Sequence, residues 1–239
     1  MPDSLSLLFI GGIADSGKSV LVKKLAEYAS DIKLFPISEF LRDALAAAHK
    51  NPLDKLGAEV TLIDWKTHEP KAIDGLVAQI KDCFKDEAIR TVVINTHFAT
   101  HSPGGSMAGL DPDSIDRICE ACHLAESQTA KVAVVLVDIG LADVLQWRGQ
   151  HWTSNNIDAF ATGSELMEDL EFNRVYALHY YNVLRTTVDK ERVLYHRVFM
   201  DRSKFAQLSE LENQAEFQLI FNKFTDFLKA NEFTNQTKG

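Results

Sequence analysis

The chain has 239 residues, enough for one large domain or two small ones and for a core that needs no disulfide or metal staple. Hydrophobic residues make up 46% and charged residues 25%, and with only 12 Gly and 6 Pro, collagen-like and low-complexity readings are excluded. Asp and Glu (34) outnumber Lys and Arg (25), and the resulting charge of −9 disfavours a general nucleic-acid binder while leaving room for one small basic pocket. Three Cys form no disulfide framework and fit a reducing compartment. Met1-Pro2-Asp3-Ser4 lacks a basic n-region, the apolar run Leu5 to Ile10 is short for a signal core, and no run approaches the ~18 apolar residues of a membrane span. The expectation is a cytoplasmic protein with no membrane contact, whose partners are small molecules and, at most, another protein or a second copy of itself.

In chain order, five short apolar runs read as buried strands: Ser6–Ile10, Ile32–Ile37, Thr91–Thr96, Lys131–Asp138 and Val193–Met200. Continuous apolar runs of this kind suit a parallel sheet covered on both faces. Helical spacing marks Ser19–Ser30, Glu39–His49, Ala72–Phe84, Asp113–Ser127 and Leu166–Leu184 between them. A last helix is predicted over Phe205–Ala230, with Leu208, Leu211, Ala215, Leu219, Phe224 and Phe227 as its apolar stripe. The alternation argues a doubly wound α/β sheet in one domain. Two stretches, Asn51–Glu69 and Gln150–Ser164, lack strong periodicity and read as excursions over the sheet.

Gly12-Ile13-Ala14-Asp15-Ser16-Gly17-Lys18-Ser19 fits Gly, four residues, Gly-Lys-Ser/Thr, with a predicted strand before it and an amphipathic helix beginning at Val20 after it. Glycines let backbone N–H groups curl round phosphate oxygens, and the helix N-terminus adds its positive end. In such a loop Gly12, Asp15, Ser16, Gly17, Lys18, Ser19 and Val20 surround the phosphates; Lys18 reaches the β and γ groups and Ser19 ligates Mg²⁺. Asp15 is an unusual neighbour for a phosphate.

Further segments bear on the class. Pro36-Ile37-Ser38-Glu39-Phe40-Leu41-Arg42 follows the second strand, and a guanidinium there can grip a phosphate by two parallel bonds. Asn95-Thr96-His97 ends the third strand and precedes Ser102-Pro103-Gly104-Gly105. Val135 to Asp138 and the helix to Arg148 come next, then Asn173-Arg174-Val175-Tyr176-Ala177. In this order the segments resemble P-loop nucleoside monophosphate kinases and are most similar to the archaeal type of adenylate kinase, over roughly Leu5 to Leu184. The resemblance implies a P-loop NTPase fold, a five-stranded parallel sheet with helices on both faces, an acceptor-binding arm at 51–69 and a lid-like insertion at 149–170. It implies ATP with Mg²⁺ as donor and a nucleoside monophosphate as acceptor, with Ser38, Arg42, Thr96 and His97 around the acceptor. Lys18, Arg148 and Arg174 are then the catalytic cations. Asn95 stands where that type carries Asp, so either Asn95 or Asp138 would reach the metal through water. From Gly149 to Asn173 there is no Lys or Arg but five acids, Asp158, Glu165, Glu168, Asp169 and Glu171, where family lids bring cations. Two other functions stay open: a P-loop ATPase or GTPase switch or nucleotide-binding regulatory protein without efficient transfer, and a kinase of another small phosphate acceptor.

Cys119-Glu120-Ala121-Cys122-His123 spells a haem-attachment pattern, but within a predicted helix it reads as a buried Cys pair. His97 and His101 are four apart in what reads as a loop, which argues against a zinc site. Phe217, Phe221, Phe224 and Phe227 read as core or as an association surface.

Overall fold

The computed structural model describes residues 3–14, 16–49, 62–102, 105–145, 163–201 and 215–235. Its main sheet has five strands, β1 (Ser6–Gly11), β2 (Ile32–Pro36), β3 (Thr91–Asn95), β6 (Val132–Ile139) and β7 (Val193–Met200). They are all parallel, in the order β2-β3-β1-β6-β7. Each is one of the five predicted strands to within a residue at either end. The central strand is β1, the one that feeds the glycine loop.

Alternation along the strands explains how both faces are covered. Leu7, Phe9, Val92, Ile94, Val132, Val134 and Leu136 point to one side. There they meet Ile73, Leu76 and Ile80 of α3 (Leu62–Cys83), Ile115 and Ile118 of α4 (Pro112–Ala121), and Ala177, Tyr180 and Leu184 of α5 (Gly163–Thr187). Leu8, Ile10, Val93, Val135 and Val137 point to the other side, against Leu21, Val22 and Leu25 of α1 (Lys18–Tyr28) and Phe217, Phe221, Phe224 and Leu228 of α6 (Ala215–Ala230). A strand buried on both faces can afford almost no polar residue, which is why these runs read as continuous apolar stretches.

Residues 62–69 of the expected arm are the first two turns of α3, which runs unbroken past Pro70; 51–61 of the arm lie outside the described residues. Two expectations are corrected. The stretch after the third strand is a hairpin, β4 (Ala99–Ser102) antiparallel to β5 (Gly105–Ala108), and not an irregular loop. The last helix buries Phe217, Phe221, Phe224, Thr225 and Leu228, whereas Leu219, expected in the stripe, is 56% exposed. The phenylalanine spacing gives the correct face and the leucine spacing does not; residues 205–214 of the predicted helix lie outside the described residues. Between β2 and α3 sits α2 (Ile37–His49), whose Leu41 and Leu45 pack on Trp65 and Ala72.

The three cysteines are buried, with burial raising all three thiols and Cys119 to about 12, as suits inert packing groups. Among the described residues no group of three or more His, Cys, Asp or Glu is arranged to hold a metal, and no helix is long and apolar enough to cross a membrane.

Candidate functional site

Parallel strands put all their C-terminal ends on one edge, so the loop after β1 stands between the ends of β3 and β6. Gly12 lies against β6: a Cβ there would come within 2.3 Å of the Val137 carbonyl oxygen and 3.2 Å of Ser16 Oγ. Gly17 takes φ 86° and ψ 2° immediately before α1, a left-handed conformation that favours glycine. Those two glycines let the chain turn tightly from strand to helix and leave the first N–H groups of α1 facing the loop.

Lys18 is 6% exposed. Its Nζ donates to the Thr96 carbonyl at 2.5 Å, across the gap between α1 and the end of β3. Burial lowers its ammonium from the ordinary 10.5 to about 7. One of its three donors is used among the described residues, so two remain for an incoming acceptor. Thr96 is itself fixed, its N–H donating to the Ile10 carbonyl at 2.9 Å and its hydroxyl to the His97 carbonyl at 3.1 Å. His97 Nδ1 donates to the Gly12 carbonyl at 2.8 Å. The Lys18 charge beside it, and then burial, push His97 down to about 3, so the ring is neutral and braces the loop. Ser16, Lys18, Asn95, Thr96 and His97 are thus neighbours of the loop through contacts that sequence distance hides.

Two buried polar atoms here have no hydrogen-bond partner, Ser16 Oγ and Asn95 Oδ1. Buried polar atoms are normally satisfied, so an orphan pair flanking a glycine loop points to a bound group. The exposed Ser19 hydroxyl and the Asn95 carbonyl are hard oxygen donors of the kind Mg²⁺ takes. In their chemistry these two donors fit such an ion.

Ser38 is exposed in the first turn of α2 and Arg42 is half-buried one turn further on. Because Pro36 pairs with Asn95, the head of α2 is level with the end of β3. No described residue pairs with the Arg42 guanidinium. Arg174, by contrast, is engaged: its Nε and Nη2 donate to the buried Asp138 carboxylate at 3.1 and 3.2 Å, and its Nη1 to Glu171 at 2.5 Å. Asp138 also forms an ion pair with Arg197 at 2.5 Å. Of the two candidates for the metal's outer shell, Asn95 has the open acceptor and Asp138 is filled by guanidinium groups. Val20 is half-buried in the first turn of α1. Asp15 and Arg148 lie outside the described residues, as do 149–162 of the lid-like stretch. Its acids Glu168 and Asp169 fall in the second turn of α5. Arg197 was not singled out by the sequence. Its one signal is that it is the sole cation within an otherwise apolar strand, Val193–Met200.

A parallel sheet in the order β2-β3-β1-β6-β7, with the glycine loop joining its central strand to α1, defines a P-loop NTPase fold. No family model matches the chain, and no curated protein matches it. Solved structures do match. One is the thymidylate kinase of Candida albicans, at 11% identity and TM-score 0.45, covering 98% of this chain and 97% of that one. Another is an unliganded sugar kinase of Janibacter, at 13% and 0.43, covering 97% and 99%. A third is a chain of an RNA repair complex, at 12% and 0.43, where 75% of this chain spans 47% of that one.

Proposed function

We propose that the chain is a phosphotransferase of the nucleoside monophosphate kinase type, taking ATP on the glycine loop and a nucleoside monophosphate as acceptor. The observation that carries this reading is the set of unsatisfied groups at the loop: Lys18 with spare donors, and Ser16 Oγ and Asn95 Oδ1 buried without partners. The triphosphate tail lies along the N–H groups of the loop and the first turn of α1, with Lys18 leaving the Thr96 carbonyl for the β and γ oxygens. Bound Mg²⁺ supplies further positive charge to those oxygens. Ser38 and Arg42 hold the acceptor phosphate, and Thr96 and neutral His97 fix its approach. One acceptor oxygen forms a bond to the γ phosphorus as the bond to the β-bridging oxygen breaks, and the electron pair leaves with ADP. Arg148 and Arg174 compensate the charge of the transferring group. Most of the protein's task is alignment and charge compensation.

ADP formation measured with each nucleoside monophosphate in turn tests this. Formation that requires an acceptor supports the kinase. Hydrolysis at the same rate without one supports a switch instead, and no reaction with either leaves a binding protein. Lys18→Ala should lower turnover by about 10²-fold or more with an unchanged circular dichroism spectrum. Unchanged turnover would remove the loop from the chemistry. Arg42→Gln should raise the acceptor KM well above any change in the ATP KM; equal changes contradict its assignment.

A further inference from the structure

Asp138, close to the end of β6, is 2% exposed and collects more cations than it needs. Its Oδ1 accepts from the Ile139 N–H at 2.9 Å and from Arg174 Nη2 at 3.2 Å. Its Oδ2 accepts from Arg174 Nε at 3.1 Å and forms an ion pair with Arg197 Nη2 at 2.5 Å. Arg174 alone already grips both carboxylate oxygens, the strong two-bond geometry of a guanidinium fork. Arg197 adds a second guanidinium from β7, half-exposed, with its charge 5.5 Å from the centre of the Phe199 ring. Asp138 directly follows Val137, whose carbonyl touches Gly12, so this cluster stands one residue from the glycine loop.

The two arginines differ in what they could leave behind. Withdrawing the partner of a buried charge is strongly destabilising, because the charge stays behind uncompensated. With Arg174 as sole partner, its departure toward a phosphate would strand Asp138. With Arg197 in place, the carboxylate keeps a counter-ion. Arg174's other tie, to the 60% exposed Glu171, is of the weak solvent-screened kind.

We propose that Arg197 is a positioning residue, a standby counter-ion that holds Asp138 when Arg174 turns from it to the phosphates of a bound triphosphate. The proposal rests on the triphosphate reading of the glycine loop. It assigns Arg197 no contact with the nucleotide. The two states differ only in whether Asp138 shares two guanidinium groups or keeps one.

Calorimetric titration with Mg–ATP, on a cycle of Arg197→Gln and Asp138→Asn, tests it. Arg197→Gln should weaken binding by about tenfold in the parent protein, since Arg174 is then tied to Asp138. On the Asp138→Asn background, with no charge left to compensate, the same change should have little effect. Equal losses on both backgrounds would mean that Arg197 touches the ligand, and no loss in the parent would mean that it does nothing for Arg174; either overturns the proposal. Because Asp138→Asn also disturbs a buried ion-pair cluster, the nitrogen-15 resonances of the parent provide a second measurement. Mg–ATP should shift the Gly17 amide and the Arg174 Nε–H and leave the Arg197 resonance nearly in place. A shift at Gly17 with Arg174 unmoved overturns this proposal and leaves the loop reading standing. No shift at Gly17 overturns both.

Discussion

The Lys18 amine, donating to the Thr96 carbonyl and buried behind the loop, keeps its proton only to about pH 7. The unfolded chain holds that proton to about 10.5, so across that window the unfolded state binds more protons and stability rises with pH. It is lost as pH falls toward 7, where the folded protein must charge a buried amine. An anionic ligand reverses the balance by stabilising the ammonium. Binding Mg–ATP at pH 8 should therefore take up a proton, and affinity should rise as pH falls from 9 toward 7. Calorimetry at pH 8 in two buffers of different ionisation heat reads the uptake directly; identical heats would contradict it. The same residue shows what sequence can carry. The Gly-Lys-Ser spacing is local and was legible, whereas Thr96, Asn95 and His97 reach the loop through strand pairing. Their approach could be named only by resemblance. The Asp138 cluster was illegible for a related reason, since Arg174 and Arg197 come from separate elements and meet only once β6 and β7 lie side by side.

Asn173 shows how an element is docked as well as formed. It is 3% exposed on α5, accepts from the Ala99 N–H at 3.2 Å, and donates to the Ala99 and Asp169 carbonyls at 3.3 and 3.0 Å. The amide thus pairs with β4 much as another strand would, and it holds α5 in register one residue before Arg174. Asn173→Ala strands both backbone groups of the buried Ala99. It should cost about 2–6 kcal/mol, by the penalty of roughly 1–3 kcal/mol for each buried group left unpaired. Urea denaturation measures this; a loss below ~1 kcal/mol would mean that water replaces the amide. Strands and helix centres were legible because their periodicity is set by burial. The first turns of α3 were not. There the buried positions among the described residues are Trp65 and Glu69, and a carboxylate in the core breaks the apolar pattern. Glu69 is tolerated because Lys66 in the same turn, the Asp111 N–H and the Ser114 hydroxyl satisfy it, and the last two lie beyond any local window.

At the scale of the molecule the two edges of the sheet have different tasks. The C-terminal edge carries the loop, the orphaned polar atoms and the paired arginines. The N-terminal edge is closed by the chain after α6. Phe233 is fully buried and its carbonyl accepts from the Thr91 hydroxyl at 2.6 Å. Thr234 Oγ1 and the Asn235 N–H donate to the buried Asp31 carboxylate at 2.5 and 2.9 Å. Nothing local to Asn235 announces a carboxylate about 200 residues away. The separation predicts that stability and ligand binding can be divided. Phe233→Ala removes a large buried ring far from the loop and should lower the unfolding free energy by about 3–5 kcal/mol. Its Mg–ATP affinity, measured well below the lowered midpoint, should match that of the parent. A matching fall in affinity would show that the two edges are coupled through the strands, and the functional edge could then no longer be treated as a rigid platform with its own chemistry.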